Sequence, residues 1–269
     1  MNTQKISTFF RHTGTIASLV TAATVATGLM APSASATLLV PQEEGEVDVG
    51  LGACLSPSSE TGDPCEYLTL SPLIDSIDSL VDESTGTKSR LFVDMSVDVE
   101  PSDPDYEDYI NNYGAVQFLP VDFGTPQEEF WFRPAAMKAD GVTPLVENGQ
   151  LEVGTFKVNF AETLDSLTVR WFDTEYDGDT SFVIDGVFGS VSGVVPAGEN
   201  NNIYEQTFTN VSMLTLNLGE KGGIFGTGDG VDFQLETTAD IPEPATTLGL
   251  SALGLMGALG LRKRNKNLS

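Results

Sequence analysis

Leu91-Phe92-Val93-Asp94-Met95-Ser96-Val97-Asp98-Val99-Glu100 changes character at every step. Leu91, Val93, Met95, Val97 and Val99 fall on one side, and Phe92, Asp94, Ser96, Asp98 and Glu100 on the other. A repeat of two is the repeat of an extended chain, whose side chains alternate between faces. The stretch therefore predicts a β-strand with one face inward and one outward. Working outward from it, Ala115–Val121, Glu129–Arg133, Leu151–Phe160, Ser166–Phe172, Ser181–Phe188, Ile203–Thr209, Val211–Leu218 and Val231–Thr237 also read as strands. Gly, Pro, Asn and Asp punctuate the gaps. No helical run of convincing length follows residue 90, and no fixed-period repeat points to a solenoid or propeller. Short strands with turn-rich spacing predict an all-β fold, an antiparallel β-sandwich of jelly-roll or lectin-like type, over residues 91–240.

Residues 37–90 read as a loop-rich region. Leu73, Ile77 and Leu80 stand at helical spacing within Leu70–Leu80, but Pro72 makes a helix there marginal. Cys54 and Cys65 are the sole cysteines. In an oxidising compartment they predict a disulfide, since a metal site would need further soft ligands that the chain does not supply.

Charge narrows the function. The chain has 269 residues, 39 acidic and 13 basic, for a net of −26. The basic residues gather at the ends: Lys5 and Arg11 near the start, and Arg262, Lys263, Arg264 and Lys266 near the finish. That leaves 7 basic and 38 acidic residues for 37–241, a net of −31. Such a surface repels phosphate, so nucleic acid is excluded as a partner. His12 is the sole histidine. A form processed behind it has none, which removes Ser-His-Asp and Cys-His catalysis and His-ligated zinc.

Both ends read as addresses. Lys5 and Arg11 precede an apolar stretch from about Ile16 to Met30, and Ala34-Ser35-Ala36 supplies small residues for signal peptidase. Residues 1–36 thus form a signal peptide cut after Ala36, with Ala34 as the alternative, or else an uncleaved anchor. At the other end Pro242-Glu243-Pro244 precedes Ala245–Leu261, an uncharged span, and then Arg262-Lys263-Arg264. Seventeen residues at helical rise cover about 25 Å, near the lower limit for a bilayer, with the basic tail on the cytoplasmic side. Proline keeps the segment before the span extended and open to an enzyme.

This three-part end, residues 241–269, resembles the PEP-CTERM sorting signal of bacterial exported proteins. The resemblance implies an exosortase as processing partner, cleavage near Pro242-Glu243-Pro244, and an inner-membrane-anchored precursor passed on to the cell surface or extracellular matrix. The alternative is a permanent C-terminal anchor. Leu151-Glu152-Val153-Gly154, followed by Thr155–Phe160, Leu167–Asp173 and Gly228–Glu236, resembles the LEVG family of PEP-CTERM proteins. That likeness brings no catalytic residue with it.

Three candidate sites remain. Asp173, Glu175, Asp177 and Asp179 alternate along one loop, with Gly178 to let it turn, and alternating carboxylates can converge on calcium. Ile184 stands where an EF-hand would place its bidentate Glu, and the bland reading is a solvated hairpin with an Asp-Gly turn. Trp131 and Trp171 could form an aromatic platform for extracellular polysaccharide, or could be core. A glycoside hydrolase using a carboxylate pair is the catalytic alternative; no nucleophile elbow or cofactor motif supports it. The expected role is non-catalytic, a binding or structural domain contacting exopolysaccharide.

Overall fold

The computed structural model describes residues 36–55, 65–97, 99, 102–104, 110–118, 126, 128–146, 151–174, 179–199, 202–221 and 230–238. Residues 1–35 of the predicted signal peptide (with Ala34), Glu175, Asp177 and the predicted sorting signal from Pro242 through Arg262, Lys263 and Arg264 lie outside the described residues.

Strands β1 (Thr37–Leu38), β2 (Gly45–Val47), β3 (Ile74–Leu80), β4 (Ser89–Met95), β5 (Asn111–Tyr113), β6 (Val116–Phe118), β7 (Phe130–Ala136), β8 (Gly154–Phe172), β9 (Ser181–Gly186), β10 (Gly189–Val194), β11 (Ile203–Leu218) and β12 (Asp232–Thr237) follow in chain order. Every pairing is antiparallel. Ten strands join one hydrogen-bonded sheet, β10-β9-β11-β8-β12-β7-β4-β2, with β1 on β12 and β3 on β8; β5 and β6 form a separate hairpin. The all-β antiparallel expectation holds, and no helix occurs among the described residues.

The two long strands are the spine. The sequence splits each in two, at Ala161–Asp165 in β8 and at Asn210 in β11, because exposed Glu162, Thr163 and Asp165 look like a loop. In the structure both strands run through. Their register jumps from Leu164↔Val211 to Asn159↔Met213, so β8 spends four residues where β11 spends one. Asn210 takes φ 57° beside this irregularity. Bulges of this kind bend a sheet sharply. The bend is visible in the rings. Phe182 of β9 is in register with Leu216, yet its ring lies 4.9 Å from that of Phe208. Eight extended residues would separate positions 208 and 216 by roughly 26 Å. The sheet has folded back, and its two halves share one core of Phe156, Val158, Leu167, Val169, Trp171, Leu214, Leu216 and Phe233 with their neighbours. Gly193 of β10 makes room for this: a Cβ there would sit 2.6 Å from Phe182 Cζ.

Two expectations need correcting. Leu70–Leu80 is not a helix; Ile74–Leu80 pairs with β8, burying Ile74 and Ile77. With β1 and β2 it joins the main sheet, so residue 90 marks no structural boundary. The second concerns β4. Its supposed outward residues Phe92 and Asp94 are buried, because the β5–β6 hairpin covers them. Phe92 packs 4.9 Å from Tyr113 and 5.2 Å from Phe118, in a second core with Leu55, Val116, Ala135 and Met137. Cys54 and Cys65 are joined beside it, with Cα atoms 6.0 Å apart.

Candidate functional site

Arg90, Arg133 and Arg170 are all the arginines of residues 37–241. They stand on β4, β7 and β8, on the sheet face turned away from the main core. Phe132, Phe233 and Trp171 are in register and point into that core. Their neighbours Arg133, Gln234 and Arg170 therefore point the other way.

Each arginine organises carboxylates. Arg90 pairs with Glu46 and donates through Nε to Gly141 O at 2.8 Å and through Nη2 to Ala53 O at 3.0 Å. Glu46 Oε2 accepts the Leu55 amide at 2.6 Å. Burial pushes the Glu46 carboxyl above its ordinary range, against the pull of the Leu55 amide and Arg90. This pair fastens the disulfide segment to the sheet.

Arg133 donates through Nη1 to Asp94 Oδ2 at 2.7 Å and through Nη2 to Glu152 Oε1 at 2.8 Å, and its Nε lies 3.4 Å from Asp232 Oδ2. The Phe118 ring lies 4.6 Å from the guanidinium. Asp94 and Asp232 are closed from solvent, so these acids do not line an open groove. Glu152 belongs to Leu151-Glu152-Val153-Gly154, whose alternation is now explained. Leu151 and Val153 pack on Ala136, and Glu152 turns to Arg133. A Cβ at Gly154 would sit 2.7 Å from Ser89 Cβ.

Arg170 is the one of the three that reaches solvent. Its Nη1 donates to Gln234 Oε1 at 2.6 Å and to Glu129 Oε2 at 3.1 Å, and its Nε lies 3.9 Å from Glu205 Oε2. Gln234 Nε2 donates to Phe130 O at 2.7 Å, which fixes the amide. The guanidinium lies 5.2 Å over the Trp131 ring, and Phe172 lies 6.0 Å from the same ring. Beneath this cover Trp131 is 1% exposed, and its Nε1 has no hydrogen-bond partner among the described residues. The result is a hydrogen-bonded cluster over the Trp131 ring in which Arg170, Glu129 and Glu205 reach solvent and Gln234 is buried.

The predicted site residues fall as follows. Trp171 is core, packed against Phe182 at 5.9 Å and Tyr204 at 5.8 Å, so it offers no platform. Trp131 does lie on the outer face but is roofed by Arg170, so an open stacking surface is also corrected. β8 and β9 are not paired with each other, since β11 lies between them, and residues 175–178 of their connection lie outside the described residues. Asp173 begins it at φ 62°, and Thr174 is tied to Asn202 and Pro196. Asp179 accepts from Asn217 through its carbonyl. No group of three or more metal-ligating side chains occurs among the described residues. Arg170, Glu129, Gln234, Glu205 and the Arg133 cluster were missed. The available signal was the scarcity of arginine: three in so acidic a chain, each within a strand pattern.

Residues 240–264 match the PEP-CTERM protein-sorting motif. The motif implies an exported precursor, anchored at its C-terminus and processed by an exosortase. No curated protein matches the chain. A solved structure titled "BiXyn10A CBM1 APO" is similar over 61% of this chain and 90% of its own, at 9% identity. Its TM-score of 0.24 is too low to equate the two folds.

Proposed function

We propose that residues 37–241 form the non-catalytic binding or structural domain of a cell-surface or matrix protein, a β-sandwich of the LEVG type. Its ligand is a neutral exopolysaccharide, held at Arg170, Glu129 and Glu205. The observation that carries this is the array over Trp131: a guanidinium and two carboxylates that reach solvent, with the buried Gln234 amide holding the guanidinium above the indole. Sugars present hydroxyls that both donate and accept, and such an array can answer both. A net charge of −31 disfavours anionic polymers. Before processing, a signal peptide over 1–36 and a transmembrane helix within 241–269 serve export. Calcium is a proposed ligand of the Asp173, Glu175, Asp177 and Asp179 loop.

The test is a glycan-array screen of the exported protein beside Arg170→Met. Binding by the parent, lost in a variant of unchanged melting temperature, supports the reading. Equal binding by both removes the array. Release of reducing ends from any glycan favours the alternative, a polysaccharide-active enzyme using a carboxylate pair.

A further inference from the structure

The sheet's edges are treated unequally. Past β2, the Leu68 amide donates to Glu46 O at 2.9 Å, so that edge is covered. Past β3, the Ser79 amide donates to Val49 O at 3.0 Å. Beyond β10 nothing pairs among the described residues, although β9 fills its other side along all six positions. Every second residue of β10 thus turns its amide and carbonyl to open space.

Open edges are usually guarded by lysine, proline, a bulge or an inward charge. Gly189-Ser190-Val191-Ser192-Gly193-Val194 has none of these, and its register with β9 is unbroken. It carries apolar groups instead. Val191 and Val194 are exposed, and the turn before them presents Val187 and Phe188, the latter 88% exposed.

Charge selects the occupant. Between Thr180 and Gly198 there is one acid, Asp185, in a domain that holds 38. Two copies of so acidic a domain repel wherever their carboxylates meet. At physiological salt that repulsion reaches only about 8 Å, so what matters is the charge of the touching patch itself. The β9–β10 hairpin is a patch where like copies meet nearly without charge. An anionic polymer gains nothing from a surface without cations, and a neutral glycan has the Arg170 array.

We infer that β10 is a self-association edge: a second copy of this chain lays its own β10 antiparallel against the first, with Val187, Phe188, Val191 and Val194 of both copies around the seam. The contact is two-fold and self-complementary, so it closes as a dimer. It extends the sheet across two chains and doubles the number of Arg170 arrays per particle.

The test uses the full-length chain in detergent, by sedimentation equilibrium at roughly 100 μM, above the Kd expected of a specific interface. The parent is expected as a dimer. Val191→Lys with Ser192→Lys, which sets like charges face to face, should weaken association by about 100-fold. Phe188→Ser, at the exposed tip, should weaken it in the same direction, and it serves as the check if the lysine variant fails to fold. A monomeric parent overturns the inference. So does a dimer that survives in a folded lysine variant, which would place the contact elsewhere. A monomeric parent that loses glycan retention on Phe188→Ser also overturns it, by assigning the edge to polysaccharide.

Discussion

Replacing Arg133 by methionine keeps the length of the side chain and removes the guanidinium shared by Asp94, Glu152 and Asp232. The contacts at stake are 2.7, 2.8 and 3.4 Å long. The Arg133 side chain is 7% exposed, and those of Asp94 and Asp232 are 2% exposed each, so solvent does little to replace it. Removing one partner of a buried ion pair costs about 3–5 kcal/mol, because the other is left buried and uncompensated. A domain of this size is stable by about 5–15 kcal/mol. At about 2–4 °C per kcal/mol the melting temperature should fall by on the order of 10 °C at pH 7. The loss should shrink as pH falls to about 4, where the stranded carboxylates take up protons and stop repelling one another. Thermal unfolding followed by circular dichroism at both pH values measures this. Asp94→Asn added to Arg133→Met should recover part of the loss, and should restore folded protein if the single variant does not accumulate. Equal melting of parent and variant, or a deficit identical at both pH values, would refute the shared-cation account.

Other consequences follow from the same face. Cys54→Ser should cost about 2–3 kcal/mol by freeing a short loop in the unfolded chain, read as a lower melting temperature. Glu46 gives a signed pH effect. Its folded pKa is raised above 4.5, so the stability it contributes is present below that value and is lost as pH rises through the raised one. Glu46→Gln, which does not titrate there, should lack that part of the pH dependence, whatever breaking its buried pair with Arg90 costs it; a pH dependence identical to the parent's would argue against burial as the dominant cause. Gly193→Val should destabilise through the Phe182 ring 2.6 Å from the new Cβ, shown by a lower melting temperature. Millimolar calcium should raise the melting temperature relative to chelator, and identical midpoints would remove the Asp173–Asp179 loop as a cation site.

The strand class was legible because alternation along Leu91–Met95 and Phe156–Phe160 reports the sheet directly. Its topology was not. Exposed Glu162 and Asp165 in mid-β8 mark a bend, and a bend in a continuous strand looks like a loop in sequence. The second face was hidden for a related reason. Phe92 and Asp94 read as outward because alternation cannot tell water from a covering hairpin. The candidate array is built from Glu129, Arg170, Glu205 and Gln234, which lie on three strands and a preceding loop. Their convergence is a property of strand order, and no local pattern encodes it. Trp131 and Trp171 show the same limit: both occupy strand positions, but only register decides which lies under Arg170 and which in the core.

The central claim, an exported β-rich domain handled through two removable ends, is tested most directly by intact-mass spectrometry of the protein recovered from outside its native cell. The account predicts a chain that begins at Thr37 or nearby and ends close to Pro242-Glu243-Pro244. A chain intact from Met1 to Ser269, recovered from the cytosol, would contradict it.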